Sequence, residues 1–142
     1  MKILLVAATE KELAPIQRKL DENQHEHTIV SLIAGVGMIA TTFKLTKILQ
    51  KQSFDLAINV GIAGAFDRNI ALGEVVEVVQ DQFSEEVIED GIELKSYDEI
   101  GLRNKDEVPF TNGVLNNTFQ SLQPPFQNPN EKLKQVSSIT VN

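Results

Sequence analysis

Glu12 is the side chain in this sequence whose type and place suit it to moving a proton. It closes the stretch Ala8-Thr9-Glu10-Lys11-Glu12, directly after the apolar run Ile3 to Ala8. A carboxylate at the mouth of a crevice can accept a proton from water and direct the oxygen at an electrophile. Two more stretches of small residues stand at similar places. Gly35-Val36-Gly37 follows His27 to Ala34, and Gly61-Ile62-Ala63-Gly64 follows Phe54 to Val60. Such backbone can lie close to something flat. In open α/β sheets the carboxyl ends of the strands form the binding crevice, so three loops converging there make one site. Each piece also has a plainer reading. Thr9 and Glu12 have the spacing of a capping box, Glu10 is an acid that a helix start favours, and glycine after a strand is turn chemistry. All three loops together point to a site.

Other chemistries find little support. Gly35-Val36-Gly37 lacks the third glycine of the dinucleotide fingerprint, and no GK[ST] occurs anywhere. Without cysteine there are no disulfides, thiolate zinc sites or cysteine nucleophiles, which fits the cytoplasm. His25 and His27 bracket Glu26 as solvated turn residues, and the acids from Glu85 to Glu99 lack EF-hand spacing, so no metal is expected. A net charge of −7, with only Arg18, Arg68 and Arg103 as arginines, argues against nucleic acid and anionic membranes as partners. The first apolar run is too short for a signal peptide or a membrane span.

The elements that must carry these loops follow from periodicity. Ile3 to Ala8 is continuously apolar, as in a strand buried on both faces. Leu13, Ile16 and Leu20 then share a helical face, with Pro15 placed near the first turn. A second strand runs from His27 to Ala34, a second helix from Ile39 to Leu49, and a third strand from Phe54 to Val60. In the second helix Ile39, Phe43, Thr46 and Leu49 form the apolar face, with Lys44, Lys47 and Lys51 outward. Glu74 to Val79 reads as a fourth strand. This alternation predicts a single α/β domain over residues 1–142. Ile3, Leu5, Val30, Leu32, Ile58 and Val60 are expected in the sheet core and Lys2 at its solvated edge. Beyond Gln80 the pattern weakens: loops with one short hairpin from Ser84 to Glu107, a short helix from Asn116 to Leu122, a rigid connection from Gln123 to Pro129, and a strand from Val136 to Val141 that leaves an unpaired edge.

Taken in order, these residues resemble the nucleoside phosphorylase and nucleosidase superfamily. KILLVAATEKEL is similar to the opening of the methylthioadenosine and adenosylhomocysteine nucleosidases, IAGVGMIATT to their second glycine loop, and DLAINVGIAGAFDRNIALGEVVEV to their strand, glycine loop and return strand. That covers Met1 to about Val79. Farther on, EDGIELKSYDEIGL, VPFTNGVL and VSSITVN resemble the futalosine hydrolases of the alternative menaquinone pathway.

The resemblance implies a three-layer phosphorylase/hydrolase-like fold with a mixed central sheet, of which this chain holds about the first half to two-thirds. It implies hydrolysis of the N-glycosidic bond of a purine nucleoside, futalosine-like or methylthioadenosine-like, with no metal or organic cofactor. Glu12 falls on the family's water-activating glutamate. Thr9, Val36 and Gly37 fall where the sugar and its 5′ side are held, and Ala63 and Gly64 fall against the base. Ile62 stands where the family often has serine, which favours hydrolysis over phosphorolysis. The ribose-binding helix and the leaving-group acid come later in the family than Asn142, so the chain alone is expected to be inactive. The family is commonly dimeric, and a homodimer is expected. The alternatives are a nucleoside phosphorylase and an inactive pairing module that keeps only the dimer surface.

Overall fold

The computed structural model describes residues 1–23, 25–117 and 133–141. The chain divides into two compact units, Met1–Asp67 and Arg68–Asn142. It is an α/β protein with a parallel sheet in the first unit and a mixed sheet in the second.

In the first unit β1 (Lys2–Ala7), β2 (Thr28–Ile33) and β3 (Leu56–Asn59) form a parallel sheet in the order β2-β1-β3. Helices α1 (Glu10–Glu22) and α2 (Met38–Leu49) make the crossovers. Strand alternation sends successive side chains of β1 to opposite faces. Leu4 and Val6 join Ala34 on one face, covered by Leu45 and Ile48 of α2. Leu5 and Ala7 join Leu13 on the other, covered by Ile16 and Leu20 of α1. The continuous apolar run is therefore buried on both sides, between two helical layers. Of the expected core, Ile3 and Leu5 are buried, while Val30, Leu32, Ile58 and Val60 are half-buried and pack against the two clusters. Lys2 is half-buried rather than solvated: its ammonium donates to Gln52 and lies over the Phe54 ring.

Two local expectations are corrected. Pro15 sits in the second turn of α1, where it removes one internal donor. The face proposed for α2 points the wrong way. Ile39 is 83% exposed and Phe43 67%, because Leu45 and Ile48, nearly opposite them around the helix, meet the sheet. Lys44 is exposed as expected, and its ammonium donates to the Ile33 carbonyl at 2.9 Å.

In the second unit β4 (Val76–Phe83) pairs antiparallel with β7 (Leu115–Asn116) and parallel with β8 (Lys134–Thr140), and β5 (Val87–Asp90) with β6 (Glu93–Ser96) forms a hairpin. Its two-residue turn opens on Gly91 with φ 69°, a position that favours glycine. β4 begins later and runs farther than expected, because β8 pairs along it as far as Phe83. Leu115–Asn116 is a strand where the short helix was expected to begin. The rest of that helix and the proline connection lie outside the described residues. β8 has one sheet neighbour among the described residues, so its other edge carries no described strand.

Candidate functional site

The site is built where β1 ends. The ladder continues past the strands: the Ala34 and Gly35 amides donate to the carbonyls of Ala7 and Ala8 at 2.8 and 3.0 Å, and the Val60 amide to that of Val6 at 2.8 Å. These bonds hold the second and third loops beside Thr9. Gly35 and Gly37 have φ of 91° and 89°, which favours glycine at both. Gly37 caps α2 with backbone alone.

Thr9 caps α1 in extended conformation. Its oxygen accepts from the Glu12 amide at 3.4 Å, closing the capping box that the sequence predicts. The Glu12 side chain folds back so that Oε2 accepts from the Thr9 amide at 2.9 Å and the Thr9 hydroxyl at 2.7 Å. Its other oxygen, Oε1, accepts from the Ile62 amide at 3.3 Å. Glu12 thus bridges the start of α1 and the loop after β3.

These bonds hold the Glu12 carboxyl below its ordinary value. The Thr9 hydroxyl is the main cause and the Ile62 amide the next; partial desolvation pushes the other way, and the Thr9 amide adds a last lowering. Near neutral pH Glu12 is a carboxylate, the form a general base requires.

Thr9, Glu12 and Ile62 are joined by hydrogen bonds, with Ile62, a residue 90% exposed, contributing its backbone N–H. Val36, Gly37, Ala63 and Gly64 lie exposed on the neighbouring loops. The sequence places Gly61 in the third loop without giving it a role of its own. A Cβ there would stand 2.9 Å from Oε1 of Glu12, so the missing side chain makes room for the carboxylate. A glycine directly after a buried strand was the available signal. Among the described residues no group of three or more His, Cys, Asp or Glu could hold a metal ion. No helix among them is long and apolar enough to cross a membrane.

A 5'-methylthioadenosine/S-adenosylhomocysteine nucleosidase from Maridesulfovibrio salexigens is 36% identical over 90 residues, 54% of this chain and 39% of its own length. Its relatives are nucleosidases. The enzyme of the same name from Bacillus cereus is 27% identical over 90 residues, with the same coverage. That from Oceanobacillus iheyensis is 23% identical over 112 residues, 69% of this chain and 46% of its own length. The chain spans less than half the length of these nucleosidases. It is similar to the N-terminal part of the nucleoside phosphorylase and nucleosidase superfamily. No family profile and no solved structure matches it.

Proposed function

We propose that the protein containing this chain hydrolyses the N-glycosidic bond of a purine nucleoside, with Glu12 as the base that activates water. Glu12 takes one proton from water, the oxygen bonds to the anomeric carbon, and the C–N bond pair leaves with the purine. A second acid protonates the departing purine; this reading assigns that acid to no residue described here. The observation that carries the reading is the ionised Glu12, held at the strand ends between Thr9 and the Ile62 amide. The names of the related nucleosidases support the reaction class.

In this reading Thr9, Val36 and Gly37 approach the sugar and its 5′ side, and Ile62, Ala63 and Gly64 approach the base. The nucleoside is futalosine-like or methylthioadenosine-like, in menaquinone biosynthesis or purine and methionine salvage. The protein is cytoplasmic and works as a homodimer, which the exposed Ile39 and Phe43 on α2 support. The 142-residue chain by itself releases no base, since it spans so little of its relatives.

The test is base release from futalosine, aminodeoxyfutalosine and methylthioadenosine by the whole protein, with and without phosphate. Glu12→Gln is expected to lower the rate about 10²–10⁴-fold while leaving substrate binding largely intact, because glutamine keeps the shape but cannot take the proton. Glu10→Gln is expected to do little. Turnover of Glu12→Gln at the parent rate overturns the mechanism, and a strict phosphate requirement replaces hydrolysis with phosphorolysis.

A further inference from the structure

The Glu12 carboxylate offers about four lone-pair sites. Three hydrogen bonds fill it unevenly: Oε2 accepts two, both from Thr9, and Oε1 accepts one, from the Ile62 amide. Oε1 also lies at the spot that a Cβ on residue 61 would crowd. Gly61 has no left-handed φ and its Cβ would meet no other atom within 4 Å than Oε1 and Cδ of Glu12. A side chain at position 61 would therefore displace the carboxylate rather than strain the backbone.

We propose that Thr9, Gly61 and the Ile62 amide form a two-point clamp of positioning groups that orients Glu12 so that Oε1, with its remaining lone pair, is the oxygen that receives the proton. The proton-accepting role rests on the function proposed above; the clamp itself does not. Thr9 ties the far oxygen to the helix start, the Ile62 amide fixes the rotation of the carboxylate plane, and Gly61 keeps the space open. The titratable side chains nearest in sequence are Glu10 and Lys11 on α1. The loop 61–64 carries none, and Lys44 on α2 is engaged with the Ile33 carbonyl.

The test reads the clamp directly in this chain. With ¹³C-labelled glutamate, the Glu12 carboxyl resonance is assigned by its loss in Glu12→Gln and followed against pH. The parent is expected to titrate below an ordinary glutamate. Thr9→Val is expected to raise the midpoint most, Thr9→Ser to restore it, and Gly61→Ala to raise it less while speeding amide exchange at Ile62. Gly61→Ala and Thr9→Ser keep the helix cap, so the result survives if Thr9→Val fails to fold. An unchanged midpoint in Gly61→Ala overturns the clamp on its own, as does an unchanged midpoint in Thr9→Val or Thr9→Ser titrating like Thr9→Val.

The catalytic half is read by base release from the whole protein. Gly61→Ala is expected to lower kcat with KM little changed and to move the acid limb of the pH profile upward. A parent-like profile there, with the titration shifted, overturns the assignment of Oε1. A Glu12→Gln protein that still turns over sinks the proposed function while the titration result stands.

Discussion

The two units of this chain hold together by different physics. In the first, β1 lies between two apolar clusters, and Leu4 at 0% exposure is enclosed by Val6, Ala34 and the α2 side chains. In the second, no apolar side chain of the described residues is buried to that degree. Directional pairs take its place. Arg103 donates to Glu86 and Asp98 and lies 4.2 Å from the centre of the Phe110 ring, which meets Phe83 edge-on at 5.9 Å. Asp81 of β4 accepts from the hydroxyls of Ser138 and Thr140 on β8. Apolar burial is non-directional and grows with the area removed from water, so it tolerates small misfits. Ion pairs and hydrogen bonds depend on geometry and, near the surface, on salt.

The contrast is sharpest at Leu4. Leu4→Ala is expected to destabilise the first unit by about 2–5 kcal/mol, since a fully enclosed leucine leaves a cavity. Denaturant unfolding followed by amide exchange in β1 measures it, and a loss under 1 kcal/mol breaks the picture of a core-driven unit. Arg103→Ala is expected to cost less, about 1 kcal/mol after solvent screening. The loss should fall on amides of residues 86–110 and shrink in high salt. An effect independent of salt would mean that packing on Phe110 outweighs the charges.

The smallest effect is acid sensitivity. Glu12 and Asp98 are both held below their ordinary values of 4.5 and 3.8, Glu12 chiefly by the Thr9 hydroxyl and Asp98 chiefly by the Arg103 guanidinium. Their stabilisation is complete above those values and drains away as pH falls through the lower folded ones. Thermal midpoints should therefore drop below about pH 4.5. Glu12→Gln should flatten that drop in the first unit alone, and Asp98→Asn in the second alone. A drop that neither substitution changes would assign acid sensitivity to other carboxylates.

The first unit was far more legible in the sequence than the second, for the same reason. A strand buried on both faces writes itself as an unbroken apolar run, and Thr9 with Glu12 writes a helix start in four residues. Local pattern failed where two stripes competed: α2 carries Ile39 and Phe43 on one side and Leu45 and Ile48 on the other, and only the sheet decides between them. It failed again in β4, whose length is set by β8 far along the chain. In the site, the side-chain partners Thr9 and Glu12 were readable. The Ile62 amide was not, because a backbone donor leaves no distinctive letter, and the space at Gly61 showed only as a glycine after a buried strand.

The pairing of β4 with β8 also sets an order of events. Asp81 and Ser138, bonded across those strands, are 57 residues apart, and they must meet before β4 gains its parallel neighbour. At ribosomal speeds of about 5–20 residues per second, that separation corresponds to roughly 3–11 s of synthesis. The first unit meets its last strand earlier in translation, when β3 emerges to pair with β1. While β8 is being made, β4 waits with one side open, and an open strand edge invites a neighbouring nascent chain. In a polysome, the yield of this protein should respond to translation rate through its second unit, and slowing the codons between β7 and β8 should lengthen that exposure.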